Sequence, residues 1–143
     1  MQPPKISTMV KPTQDTKFHI DYAWWEKSDE DLRVYLLSHL PADQRDRLAQ
    51  NGETRTIDHI DPETGEVHQL DEIGMALQNA AKDPHFINPH TSVVDSVFRV
   101  FIANNNQPLT PHELGELLKR PAATILKTLS GARVYKGIRP VQS

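Results

Sequence analysis

The chain contains no cysteine, which excludes disulfides, thiolate metal sites and a cysteine nucleophile and fits a reducing compartment. It also lacks any apolar run approaching the ~20 residues that span a bilayer, and its N-terminus has no signal-peptide core. A cytoplasmic protein with no membrane partner is the expectation. Glycine is scarce, at 6 of 143 residues, and none of it forms a phosphate-cradling loop; a nucleophile-elbow serine and an H-E-x-x-H pair are missing as well. These absences argue against an enzyme, so catalytic residues and cofactors are assigned as none. No internal repeat is visible. What is present, 37% apolar and 24% charged residues, is ordinary globular composition, at a length that holds one domain or two small ones.

In chain order the sequence reads as an α+β protein in three parts. Residues 1–16, with Pro3, Pro4 and Pro12 among polar neighbours and no periodicity, read as a flexible arm. Residues 17–90 read as an α+β part for interaction or dimerisation. There, Phe18, Ile20, Tyr22 and Trp24 alternate with His19, Asp21 and Ala23, which predicts a half-buried strand. Five of the nine aromatic residues fall between Phe18 and Tyr35, the mark of a core or an interface. Ser28 and Asp31 open a helix with Leu32, Tyr35, Leu36 and Leu40 at helical spacing, and Pro41 ends it. A short polar helix follows and stops at Asn51-Gly52.

Residues 54–70 predict a β-hairpin, with Pro62 in the turn and Gly65 available for positive φ. If Asp61 pairs with Glu66, His59 falls opposite His68, and the two imidazoles share a face with the carboxylates. Such a set could hold zinc or nickel. Paired histidines on a solvent face need no metal, and no metal site is assigned; His85 and His90 are weaker candidates. A helix over 71–82 turns Ile73 and Leu77 inward, and Pro84 and Pro89 then mark a boundary.

The third part, residues 91–143, starts with a helix over 92–103 that carries Val93, Val94, Val97, Phe98, Val100, Phe101 and Ile102. That is more than one apolar stripe requires, so the helix must be covered on two sides, by the N-terminal part or by another copy of the chain. A homodimer is the expected assembly. After the polar turn 104–107, Pro108-Leu109 can supply the short strand that the wing pairs with. Thr110 with Glu113 makes a capping box and Pro111 takes the first helical position. Leu114, Leu117 and Leu118 form the stripe of this helix, with Lys119 and Arg120 in its last turn. Pro121 turns the chain. A second helix follows with Ala122, Ile125, Leu126 and Leu129 on one face, and Gly131 is placed to end it.

Two amphipathic helices with so tight a corner resemble a helix-turn-helix, and with the residues after Gly131 the stretch 92–141 resembles a winged helix-turn-helix domain of the DNA-binding kind. Gly115 stands at the small-residue position where the helices cross. Lys119 stands where that family often has glycine in the turn. The resemblance implies a three-helix domain whose last helix is the recognition helix, entering the major groove of double-stranded DNA. Its outward positions would be Ala123, Thr124, Lys127 and Thr128. A wing over 133–139, turning at Lys136-Gly137, would add Arg133, Tyr135, Lys136 and Arg139 as DNA contacts, and Arg120 would reach DNA from the corner.

Charge is consistent with this implication. From Ser92 onward seven basic side chains face three acidic ones, a balance of +4, which leaves −7 for the remainder of a chain whose net charge is −3. A basic module joined to an acidic one suits phosphate contact by the first and a protein partner for the acidic, aromatic part. The expected function is therefore DNA binding by a transcriptional regulator. The alternative is a non-enzymatic interaction subunit of a larger assembly that uses the same module to bind protein, because the outward face of the second helix has Lys127 as its single charge.

Overall fold

The computed structural model describes residues 11–50, 56–60 and 67–141. Among the described residues the elements run, in chain order, β1 Phe18–Ile20, α1 Tyr22–Lys27, α2 Leu32–Leu37, α3 Ala42–Gln50, β2 Thr56–Ile60, β3 Val67–Asp71, α4 Glu72–Ala80, α5 Val93–Ala103, α6 Pro111–Leu118, α7 Ala122–Leu129 and β4 Ile138–Pro140. Helices and two small antiparallel sheets, β1 with β4 and β2 with β3, make this an α+β protein. The chain divides into two compact units. Lys27–Phe86 supplies one, and the residues on either side of it supply the other.

In the unit of Lys27–Phe86, Asp31 caps α2 by accepting from the Val34 N–H at 3.3 Å. The expected apolar stripe is displaced: Leu37 and Leu40 are buried, while Leu36 is half-buried. The helix ends at Leu37, ahead of the stop expected at Pro41, and Ser38, His39 and Leu40 then donate to the carbonyls of Tyr35, Leu36 and Leu37, a three-residue spacing that tightens the chain beyond it. Leu48 of α3 and Ile73 and Leu77 of α4 complete that core with Phe86. Strands β2 and β3 pair with His59 opposite His68, the expected register. The turn expected at Asp61, Pro62, Gly65 and Glu66 lies outside the described residues.

The other unit is built around β1, which is shorter than the alternation 18–24 predicts. Asp21 Oδ1 accepts from the Ala23 N–H at 3.1 Å, and this cap starts α1 where the strand was expected to continue. Tyr22 is consequently exposed, and Trp25 points inward, edge-on to Phe98 with ring centroids 6.4 Å apart. On one side β1 pairs with β4, Phe18 opposite Pro140 and Ile20 opposite Ile138. On its other side Phe18 and Leu109 exchange two backbone hydrogen bonds of 2.8 and 3.0 Å. Asn106 extends that edge: its Oδ1 accepts from the Ile20 N–H at 2.8 Å and its Nδ2 donates to the Ile20 carbonyl at 2.9 Å. One side chain, held at φ 60°, thus replaces a strand residue.

This arrangement corrects three expectations. Residues 18–26 belong with the C-terminal residues and not with the part over 17–90, and that unit resumes at Ile87, ahead of the boundary expected at 91. Leu109 pairs with β1, so β4 and Leu109 flank one strand instead of meeting each other. Finally, α5 spends its excess apolar surface inside the chain. Val97, Phe98 and Phe101 are fully buried, with Phe18, Ile20, Leu114, Ile125 and Ile138 in the same unit's core. The apolar excess of α5 therefore gives no ground for a dimer. Of the expected arm, residues 1–10 lie outside the described part. Residues 13–16 form a turn closed by the Thr16 N–H on the Thr13 carbonyl, and the Gln14 carbonyl accepts from His112 at the start of α6.

The capping box of α6 is present as expected, with Glu113 N–H on Thr110 Oγ1 at 3.1 Å and Thr110 N–H on Glu113 Oε1 at 2.9 Å. The helix stops at Leu118, earlier than expected, because Lys119 adopts a left-handed conformation, φ 57° and ψ 44°. The Arg120 N–H then closes onto the Gly115 carbonyl at 3.0 Å, the Schellman arrangement. Helix α7 starts after Pro121, buries Ile125 and Leu129, and ends at Ser130. Gly131, the expected terminator, is exposed and takes no part in closing it.

A Cβ at Gly115 would lie 2.7 Å from the Arg120 carbonyl oxygen and 3.2 Å from the Ala122 nitrogen. Gly115→Ala is expected to pry α6 from α7 and destabilise by about 1–3 kcal/mol. Gly131→Ala, with open space around it, should leave stability unchanged or raise it by about 0.4–1 kcal/mol. Urea denaturation of the two variants separates these outcomes; equal midpoints would show that the crossing at Gly115 is not tight.

Candidate nucleic-acid interface

Helix α7 is the element that the resemblance offers to DNA, and its position follows from the corner before it. Ile125 and Leu129 face the core. Ala123, Thr124 and Lys127 are exposed on the other side, and Thr128 is half-exposed. Thr128 Oγ1 donates to the Thr124 carbonyl at 2.9 Å, so its hydroxyl proton is committed to its own helix and only its lone pairs face outward. One alanine, two threonines and one lysine make this a shallow face with little base-reading chemistry.

Arg120 is not the open corner cation that the sequence suggested. Its Nη2 donates to the carbonyls of Thr91 at 2.8 Å and Pro89 at 3.3 Å. The guanidinium therefore fastens the corner to the loop that leads into α5. The neighbouring Lys119 is exposed. A lysine in the left-handed region is strained by about 1 kcal/mol relative to glycine.

Residues 133–139 hold all four remaining candidates, and two unforeseen anchors fix the segment. The Ile138 N–H returns to the Tyr135 carbonyl at 3.0 Å, and Lys136 and Gly137 between them both have positive φ, 56° and 76°. That is a type I′ turn at the expected Lys136-Gly137. No paired strand precedes it among the described residues. The turn is fixed from α1: Trp25 Nε1 donates to the Lys136 carbonyl at 3.1 Å, and the Asp21 N–H donates to the Gly137 carbonyl at 2.8 Å. A Cβ at Gly137 would stand 2.9 Å from Trp25 Nε1. Arg133 is exposed and lies over the Tyr135 ring, 5.4 Å from its centroid, a cation–π contact.

Arg139 departs most from expectation. Its Nη1 is 3.2 Å from Asp21 Oδ2, a half-exposed ion pair, so its charge is met before any phosphate arrives. Of the five basic residues named for phosphate contact, Arg120 holds two backbone carbonyls, Arg139 a carboxylate and Arg133 the Tyr135 ring. Asp21, Trp25 and Asn106 are the residues that the sequence reading missed. The signal available was an asparagine run and a Trp-Trp pair, and neither names its partner more than eighty positions away.

No group of three or more metal-ligating side chains occurs among the described residues, and no helix there is long and apolar enough to cross a membrane. No protein-family profile, curated protein or solved structure matches the chain.

The strain at Lys119 is testable by itself. Lys119→Gly should raise stability by about 0.5–1 kcal/mol in a thermal melt, because glycine takes the left-handed conformation without a Cβ penalty. A melting temperature lower than that of the parent chain would show that the lysine side chain, and not only its backbone, holds the corner.

Proposed function

We propose that α5, α6, α7 and the segment through β4 act as a winged helix-turn-helix module that binds double-stranded DNA, and that the protein is a cytoplasmic transcriptional regulator with α7 as its recognition helix. The observation that carries this reading is the corner at Gly115. The close crossing sets α7 against α6 while Ala123, Thr124 and Lys127 stay on the open face, and such a helix is what a major groove admits. The type I′ turn at Lys136-Gly137 supports a wing, here braced by Trp25 and β1. A homodimer would match the paired half-sites that such modules read.

A second reading has its own observation. Arg139 is paired with Asp21, and Arg120 is bonded to two carbonyls, so the face holds fewer available cations than its sequence suggests. That favours a protein-binding use of the same module.

Salt dependence separates the two. With Lys127, Arg133 and Lys136 on phosphates, each contributing about 0.9, the slope of log affinity against log salt should be about −3 per subunit. Arg133→Ala should weaken binding to all duplexes about equally and make the slope shallower by about one. Thr124→Ala, on the outward face of α7 where base edges would lie, should change the ranking of sequences. Fluorescence anisotropy on random and selected duplexes checks this; affinity that is undetectable even at low salt would transfer the module to the protein-binding reading.

A further inference from the structure

A groove of about 550 Å³ opens in the C-terminal unit, away from the exposed face of α7. Its walls are the loop with Ile87 and Pro89 on one side and the C-terminal end of α6 with Leu117, Leu118, Lys119 and Arg120 on the other. We propose that this groove receives a short segment of a partner protein in which a leucine-like side chain stands next to aspartate or glutamate.

Two observations specify that occupant. The first is apolar: Leu117 is 59% exposed although its helix has a buried face in Leu114 and Gly115. Together with Ile87, Pro89 and Leu118 it gives the groove four apolar side chains beside Asn88 and Ser96, and its volume is in the range of clefts that take several side-chain-sized groups, so it admits an anchoring side chain together with its neighbours in a short segment. The second is charge. Lys119 and Arg120 stand at the same end and no carboxylate lines the groove. Arg120 is held in place through Nη2 alone, so its guanidinium keeps three further N–H donors in a fixed orientation. A positioned arginine of this kind suits a carboxylate, because its rotamer entropy is already spent. A phosphate backbone would use the cations but not the apolar wall.

The experiment uses the full chain labelled with ¹⁵N and three synthetic peptides, one alternating leucine with aspartate, one leucine with lysine and one serine with aspartate. The leucine-aspartate peptide should shift the amides of Ile87, Leu118 and Lys119 and leave those of Thr124 and Lys127 in place. Leu117→Ser and Lys119→Gln should each weaken it about tenfold, and the other two peptides should not bind. Leu117→Ser lies on an exposed position, keeps the fold and should leave duplex binding unchanged, so the result does not depend on the DNA reading. The proposal is overturned if no groove amide moves at saturating peptide, or if the leucine-lysine peptide binds equally well. It is also overturned if duplex DNA shifts these same amides, which makes the groove a phosphate site, or if sedimentation shows copies of the chain associating through Leu117.

Discussion

The C-terminal unit depends on a three-residue strand that lies far from it in sequence. Phe18–Ile20 is hydrogen-bonded along both edges, to β4 on one side and to Leu109 and the Asn106 side chain on the other. Its two inward side chains, Phe18 and Ile20, fill the centre of the core against Phe98, Phe101 and Ile138. Fully burying such side chains contributes about 1.5–3 kcal/mol each. Without β1, the segment entering α6 and the segment closing the fold would each lose the sheet partners they have among the described residues.

From that strand the support reaches both parts of the candidate interface. Asp21, the next residue, caps α1, accepts Arg139 and donates its N–H to Gly137, while Trp25 one turn later holds the Lys136 carbonyl and leans on Phe98. On the far side, Arg120 ties the α6–α7 corner to the loop before α5. Arg139 thus meets a carboxylate and Arg120 two backbone carbonyls, so neither is an open cation on the face of α7.

Local rules made much of this legible. The capping box of α6, the crossing at Gly115 and the register of β2 with β3 each rest on interactions within a few residues or on one steric requirement, and all are present, whereas the left-handed Lys119 that ends α6 was not foreseen. What failed was non-local. The alternation at 18–24 is a fair strand pattern, but the competing cap at Asp21 won after two faces of β1 had been satisfied. Arg139 and Arg120 read as open cations because nothing in their neighbourhood of sequence announces Asp21 or the Thr91 carbonyl. An asparagine that completes a strand edge leaves no periodic trace.

The unit of Lys27–Phe86 lies, in chain order, inside the other one: the strand Phe18–Ile20 is made before it, and the partner strand Ile138–Pro140 well after it. During synthesis the nascent strand must therefore wait for most of the chain to emerge, on the order of ten seconds at ribosomal speeds. For that interval Phe18, Ile20 and the tryptophans beside them travel uncovered, and the later unit closes only in one late, long-range step. The central strand of this protein is thus also its moment of greatest exposure to chaperones and to misassociation in the cell.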